Sequence, residues 1–228
     1  MKNTSFRILT MVTLALLLAT NSIATVQARS NTGVLPPKAR LQGRALAEWT
    51  ALHWEYIMTL PASESPFLGN IGTGCIYQRV GNVALIAIDW GRPEIICEVP
   101  AGVFVNFMIV GAECSTLEPP PFYGANEEEL RNCALSVTLT DLMATIDGLD
   151  VQEPERYIFT SPLYEFTLPE DNFLGLPGSP TGESVGYSFY LSLTPLNPGV
   201  HMLHLYGYVP EYDFASEYHI NLIVNPNQ

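Results

Sequence analysis

The sequence predicts a mainly β protein: a two-layer β-sandwich, jelly-roll-like or immunoglobulin-like, with two short helices in its N-terminal half. Three observations carry this expectation. From residue 74 onward there are about ten short runs rich in Val, Ile and aromatic residues. Gly and Pro punctuate these runs, at Gly81, Gly91, Pro93, Pro100 and Gly102 in the first stretch. Helical spacing of apolar residues occurs in only two places, near 44–60 and 126–137. A sandwich closes its core between two sheets, so the helices are expected to cover an edge or an open end.

The elements follow in chain order. Lys2 and Arg7 give a positive start, Ile8 to Ala19 is a short apolar run, and Val26-Gln27-Ala28 is a small-residue cleavage site. That is the layout of a secretory signal peptide over residues 1–28. Its apolar run is too short to cross a bilayer, and no later run is long enough. Cleavage after Ala28 leaves a mature chain of 200 residues, a length that suits one domain. Residues 29–43 carry Pro36-Pro37, Gly33, Gly43 and a basic cluster, and are expected to form a flexible arm. Residues 44–228 are then the single sandwich domain.

A helix is predicted from Arg44 to Leu60. Leu46, Trp49, His53, Tyr56, Ile57 and Leu60 fall at helical spacing, and Trp54 and Met58 extend the apolar surface around most of the circumference. Such a helix belongs against a sheet. Pro61 ends it. Strands are predicted at Cys75–Arg79, Val83–Asp89, Ile95–Val99 and Val103–Val110. After Pro119-Pro120-Pro121, Asn126 caps a second helix, with Glu129 completing a capping box and three glutamates at the positive end of the dipole. Leu142–Ile146 leads into Asp147-Gly148, a hairpin turn. Tyr157–Phe159, Leu163–Leu168, Tyr187–Leu193, His201–Tyr208 and Tyr218–Val224 are the remaining strands, and 169–186 reads as a long Pro/Gly/Ser loop.

Charge limits the partners. The chain has ten Lys plus Arg against 23 Asp plus Glu. Two of the basic residues and none of the acidic ones lie in 1–28, so the mature chain has eight against 23, a net charge of −15. Such a surface repels phosphate backbones, which excludes nucleic acid as a partner, and leaves cations, glycans and proteins. Four cysteines in an exported chain read as disulfides. Three pairings are possible for Cys75, Cys97, Cys114 and Cys133. Cys75–Cys97 and Cys114–Cys133 are favoured, because each closes a local loop. No C-x-x-C spacing supports a zinc site built from them.

Candidate chemistry is sparse. Gly182-Glu183-Ser184-Val185-Gly186 has the spacing of a nucleophile elbow, followed by Asp213 and His219. The elbow needs a strand before the serine and a helix after it, whereas a Pro/Gly loop precedes Ser184 and a strand follows. The triad is therefore rejected. His201 and His204 lie in a strand pattern and point to opposite faces, so they do not share a metal. His204 with His219 on a neighbouring strand, joined by Glu217, is the one metal set that alternation leaves open. Glu113, Asp147, Asp150, Glu170 and Asp171 are placed at turns, where acids solubilise or bind calcium. Tyr187, Phe189, Tyr190, Tyr206, Tyr208 and Tyr212 lie on or near late strands. An exposed row of them would suit stacking on sugar rings, and core packing is the plainer assignment.

Several motifs occur together. They are His53-Trp54-Glu55-Tyr56 running to Pro61-Ala62-Ser63-Glu64-Ser65-Pro66, Cys97-Glu98-Val99-Pro100-Ala101-Gly102, Glu113-Cys114-Ser115-Thr116 and Glu129-Leu130-Arg131-Asn132-Cys133-Ala134. Ser161-Pro162-Leu163 through Thr167-Leu168-Pro169-Glu170-Asp171-Asn172 and Pro198-Gly199-Val200-His201-Met202-Leu203-His204 complete the set. In these the chain resembles a family of uncharacterised secreted bacterial proteins, departing from it at His53 and Tyr56, where tryptophan is expected. The resemblance implies export and the fold class and supplies no site residues; the sequence assigns no cofactor. The expected function is an exported, acidic, non-enzymatic binding module, secreted or periplasmic. The alternative is a secreted hydrolase acting on polysaccharide through loop carboxylates or a histidine-based metal site.

Overall fold

A computed structural model of the chain describes residues 33–226. The signal peptide expected over 1–28 lies outside the described residues. The elements are β1 (Arg40–Leu41), β2 (Arg44–Ala45), α1 (Leu46–Met58), β3 (Cys75–Val80), β4 (Val83–Ile88), β5 (Glu94–Pro100), β6 (Phe104–Ser115), α2 (Glu127–Ala134), β7 (Thr140–Ile146), β8 (Leu149–Asp150), β9 (Ile158–Thr160), β10 (Tyr164–Thr167), β11 (Thr181–Leu193), β12 (Gly199–Val209) and β13 (Phe214–Asn225). The protein is mainly β. One sheet has the order β10-β11-β6-β4-β3, with β9 also pairing β11; the second has the order β5-β13-β12-β7-β8. No helix among the described residues is long and apolar enough to cross a membrane.

Alternation builds the sandwich. Val105, Phe107, Leu191 and Leu193 of the first sheet meet Ile95, Leu203, Leu205, Ile220 and Leu222 of the second in one buried core. On the second sheet the intervening residues, such as Met202, Glu94 and Ile96, stay exposed. Strand β4 breaks this pattern, because all six residues of Val-Ala-Leu-Ile-Ala-Ile are buried. Ala84, Ile86 and Ile88 face the core, whereas Val83, Leu85 and Ala87 meet Leu46, Trp49 and Ile57 of α1. A strand covered on both faces has to read as a continuous apolar run. Helix α1 thus forms a third layer over the outer face of the first sheet. It does not cover an edge, because its own near-continuous apolar surface needs a broad apolar face to bury against. Helix α2 packs Leu130 and Ala134 against Cys114 and Val185, at the end of β6 and β11.

Residues 33–43 do not form a loose arm. Leu35 N–H donates to Ser192 O (2.8 Å) and Thr194 N–H to Gly33 O (2.9 Å), which lays this stretch along β11. Val34 and Leu41 are buried, and the Trp49 indole donates to Leu41 O at 2.9 Å. Two apolar anchors outweigh the polar, Pro-rich composition that suggested an arm. The β1–β2 hairpin takes Arg44 and Ala45, so α1 starts two residues later than predicted, with Ala45 N–H donating to Glu48 Oε2 (2.6 Å). Asn126 caps α2 as expected, accepting from Glu129 N–H at 3.1 Å. The predicted loop over 169–186 ends at 180, because Thr181–Gly186 pairs with β10 and β6. Asp147 (φ 52°) and Gly148 (φ 76°) supply the two positive dihedrals of the β7–β8 hairpin turn. Cys75 bonds Cys97, joining the edge strands β3 and β5 of the two sheets. Cys114 bonds Cys133, fastening α2 to β6.

Candidate functional site

The end of β6 carries the most unusual chemistry in the molecule. On the outer face of that strand, Gly111 is followed by Glu113, whose side chain is buried at 6 % exposure. Its carboxyl is in hydrogen-bond contact with the Ser184 hydroxyl of β11. The same Ser184 Oγ lies 3.0 Å from Cys114 O. The hydroxyl has one hydrogen, so it serves one of these two acceptors at a time, and its bond to the carboxyl favours the ionised form of Glu113.

Glu118 completes the pair. After β6 the chain turns on Ser115, whose Oγ accepts from Glu118 N–H (3.2 Å) and donates to Glu118 Oε2 (3.0 Å). This turn folds Glu118 back until it hydrogen-bonds Glu113. Burial pushes the Glu113 carboxyl well above the ordinary carboxylate range, and the hydrogen bond to Glu118 and that neighbour's charge push it further. Glu118 also rises through burial, opposed by the hydrogen bonds it accepts from Glu113 and Ser115. The two carboxyls titrate as a coupled pair, with Glu113, the deeper of the two, pushed up the further. The Tyr164 hydroxyl is buried nearby; burial, then the charge of Glu113, hold its phenol well above its ordinary value.

This acid pair opens into a cleft of about 380 Å³, which Trp54 also lines. One wall is a chain of rings, Phe173–Phe67–Trp90–Phe214, with successive centroids 4.6, 4.8 and 5.6 Å apart. The other wall is Phe122 against Tyr212, 5.5 Å apart. Gly111 and Ala112 form part of the floor. Trp54 is held by its indole N–H donating to Ser188 Oγ at 2.9 Å, and its ring lies so close over Gly186 that a Cβ there would sit 2.2 Å from Trp54 Cδ1. The size and mainly apolar lining suit a small organic molecule. The two carboxyls offer polar, ionisable oxygens to whatever enters.

The other candidates are placed differently. Glu113 is buried in a strand and not at a turn; of the five acids expected at turns, it alone lines the cleft. Asp147 sits in the β7–β8 turn, holding His201 Nδ1 (2.7 Å) and Met202 N–H (2.9 Å). Asp150 lies in β8, and Glu170 and Asp171 are exposed on the 168–180 loop. Ser184 lies near the start of β11, while Asp213 lies in the β12–β13 connection and His219 in β13 of the other sheet, so no triad assembles. Asp213 instead accepts from the Tyr208 hydroxyl at 2.8 Å. Phe189 and Tyr190 are core residues, and of the late aromatics Tyr212 reaches the cleft. His204 and His219 are direct cross-strand partners, with ring centroids 4.1 Å apart, and Glu217 Oε1 lies 2.9 Å from His204 Nε2 and 3.6 Å from His219 Nε2. Glu118, Phe67, Trp90, Phe122, Phe173 and Phe214 were not singled out in the sequence; the one local signal was Ser115-x-x-Glu118, a side-chain turn pattern.

Compared with models of known families, with curated proteins and with solved structures, the chain matches none.

Proposed function

We propose that this chain is an exported β-sandwich binding protein that takes a small, largely apolar ligand into the aromatic cleft and meets its polar or cationic group with Glu113 and Glu118. The observation that carries the reading is the buried acid pair at the foot of a cleft walled by six aromatic rings. Aromatic faces carry partial negative charge and attract organic cations, the more so where water is excluded. Ionisation of either carboxyl adds negative charge at the same place. Export is supported by the signal-peptide layout of residues 1–28 and by two disulfides, which persist in oxidising compartments. The net charge supports a partner other than nucleic acid.

Glycoside hydrolysis fits the cleft poorly. Its carboxyl pairs stand about 5–5.5 Å apart in retaining enzymes and about 6.5–9.5 Å in inverting ones, to leave room for the sugar and water. Glu113 and Glu118 are hydrogen-bonded to each other. The test is a fluorescence titration of the mature protein, because Trp54 and Trp90 line the cleft while Trp49 lies elsewhere. Benzyltrimethylammonium is expected to shift the emission saturably, its uncharged carbon isostere less so, and Trp90→Ala to abolish the response. If neither probe, nor any member of a panel of neutral oligosaccharides, changes emission or melting temperature, the cleft is not a ligand site.

A further inference from the structure

We propose that His204, Glu217 and His219 form a binding site for a divalent ion of the zinc–copper class on the outer face of the β5-β13-β12-β7-β8 sheet. The site is separate from the aromatic cleft and does not depend on it. His204 on β12 and His219 on β13 stand directly opposite each other in the antiparallel register. Leu203, Leu205, Ile220 and Leu222 point into the core, so alternation sends both imidazoles outward. Glu217, two residues before His219, lies on the same face. The Nε2 atoms of both rings approach the same Glu217 oxygen, at 2.9 and 3.6 Å, and one ligand atom from each of the three residues lies within 4.8 Å of the others.

Zinc–nitrogen bonds of about 2.0–2.1 Å place tetrahedral ligand atoms roughly 3.3 Å apart. These exposed side chains need only small rotations to reach that spacing. Two imidazoles and one carboxylate form a borderline donor set that suits zinc and copper over calcium or magnesium. The set leaves a fourth position toward solvent. Position in the sheet adds to the case. His204 and His219 belong to β12 and β13, interior strands paired on both sides, so their backbones are fixed before any ion arrives. One row across the sheet runs Thr145, His204, His219, Glu94, which stands a second carboxylate beside the pair.

Competing ligands in the described structure are few. All four cysteines are consumed by disulfides. His53 is wholly buried, with Nε2 on Ile86 O at 2.9 Å. His201 is engaged through both ring nitrogens, by Asp147 and by Asn197 O. His204 and His219 are thus the two imidazoles with solvent access on one face.

The test uses the untagged mature chain. Calorimetric titration with zinc chloride is expected to give one ion per chain, and Cu²⁺ electron paramagnetic resonance to show coordination by two nitrogens. His204→Ala and His219→Ala are each expected to weaken zinc binding at least tenfold and to change the copper spectrum, while His201→Ala leaves both unchanged. Circular dichroism checks that each variant is folded; Glu217→Gln, which keeps the shape of the side chain, serves as a second probe and is expected to weaken zinc severalfold. Absence of saturable zinc binding would overturn the site. So would zinc binding and a copper spectrum that survive both histidine variants, because the ion would then sit elsewhere.

Discussion

Glu113 and His53, both buried, contribute to the pH response in opposite directions. Glu113 has a folded value well above its unfolded one. The stability it contributes is present in acid and is lost as pH rises through the elevated value, because the unfolded chain then ionises more readily than the folded one. Glu113→Gln keeps the hydrogen-bonding shape without the charge. Its melting temperature is expected to fall less between pH 5 and pH 8 than that of the parent, as differential scanning calorimetry will register. His53 behaves conversely. Burial lowers its folded value from 6.5 to about 4, with the hydrogen bond to Ile86 O opposing. Its contribution is present above pH 6.5 and is lost as pH falls toward 4. In urea titrations His53→Phe should therefore show a flatter loss of stability across that window; an unchanged slope would mean that other groups carry the acid limb. His53 was legible as a helix-face residue from its spacing. Glu113 was not legible as a buried acid, because a single carboxylate at the end of an apolar run, just before a Pro-rich bend, has the local pattern of a strand end.

At the scale of elements, the two disulfides restrain different things. Cys75–Cys97 spans 22 residues and ties the two sheets together at one edge, whereas Cys114–Cys133 spans 19 and ties one helix to one strand. Each contributes about 3 kcal/mol in the chain-entropy account. Replacing Cys75 and Cys97 together by Ala should lower the global unfolding free energy by about that amount. Replacing Cys114 and Cys133 should also speed amide exchange locally, in 127–134, before global stability is lost. Gly186→Ala is a second element-scale test. The added methyl overlaps the Trp54 ring, so α1 has to shift from the sheet, at a cost of about 1–3 kcal/mol in chemical denaturation. The pairing of the cysteines was legible from proximity along the chain, and the β7–β8 turn from Asp147-Gly148. The place of α1 on a sheet face followed from its apolar circumference, but which face depended on β4. A short run of six apolar residues reads equally as a strand buried on one side or on both, and only the helix resting on Val83, Leu85 and Ala87 decides.

Across the whole molecule, acidity and topology dominate. Beyond residue 28, eight basic residues stand against 23 acidic ones, an imbalance that makes the folded surface repel itself. Raising NaCl from about 10 to about 300 mM should screen this repulsion. A gain of about 1 kcal/mol would appear as a rise of about 2–4 °C in melting temperature; a fall would mean that specific ion pairs outweigh the net charge. The cleft is a whole-molecule feature, and this is why composition and periodicity did not reveal it. Phe67, Trp90, Phe122, Phe173 and the neighbouring pair Tyr212 and Phe214 come from five stretches of chain far apart in sequence, and no single local pattern relates them. The order of strands has one more consequence, for the timing of assembly. β13 lies between β12 and β5, and it is the only partner of β5 in its sheet. A chain emerging from a ribosome or a translocation channel leaves β5 waiting for residues 214–225, more than a hundred positions later. Until they arrive β5 has no neighbour in its sheet and that edge of the sandwich core stays open, so the fold closes only when its last strand is in place.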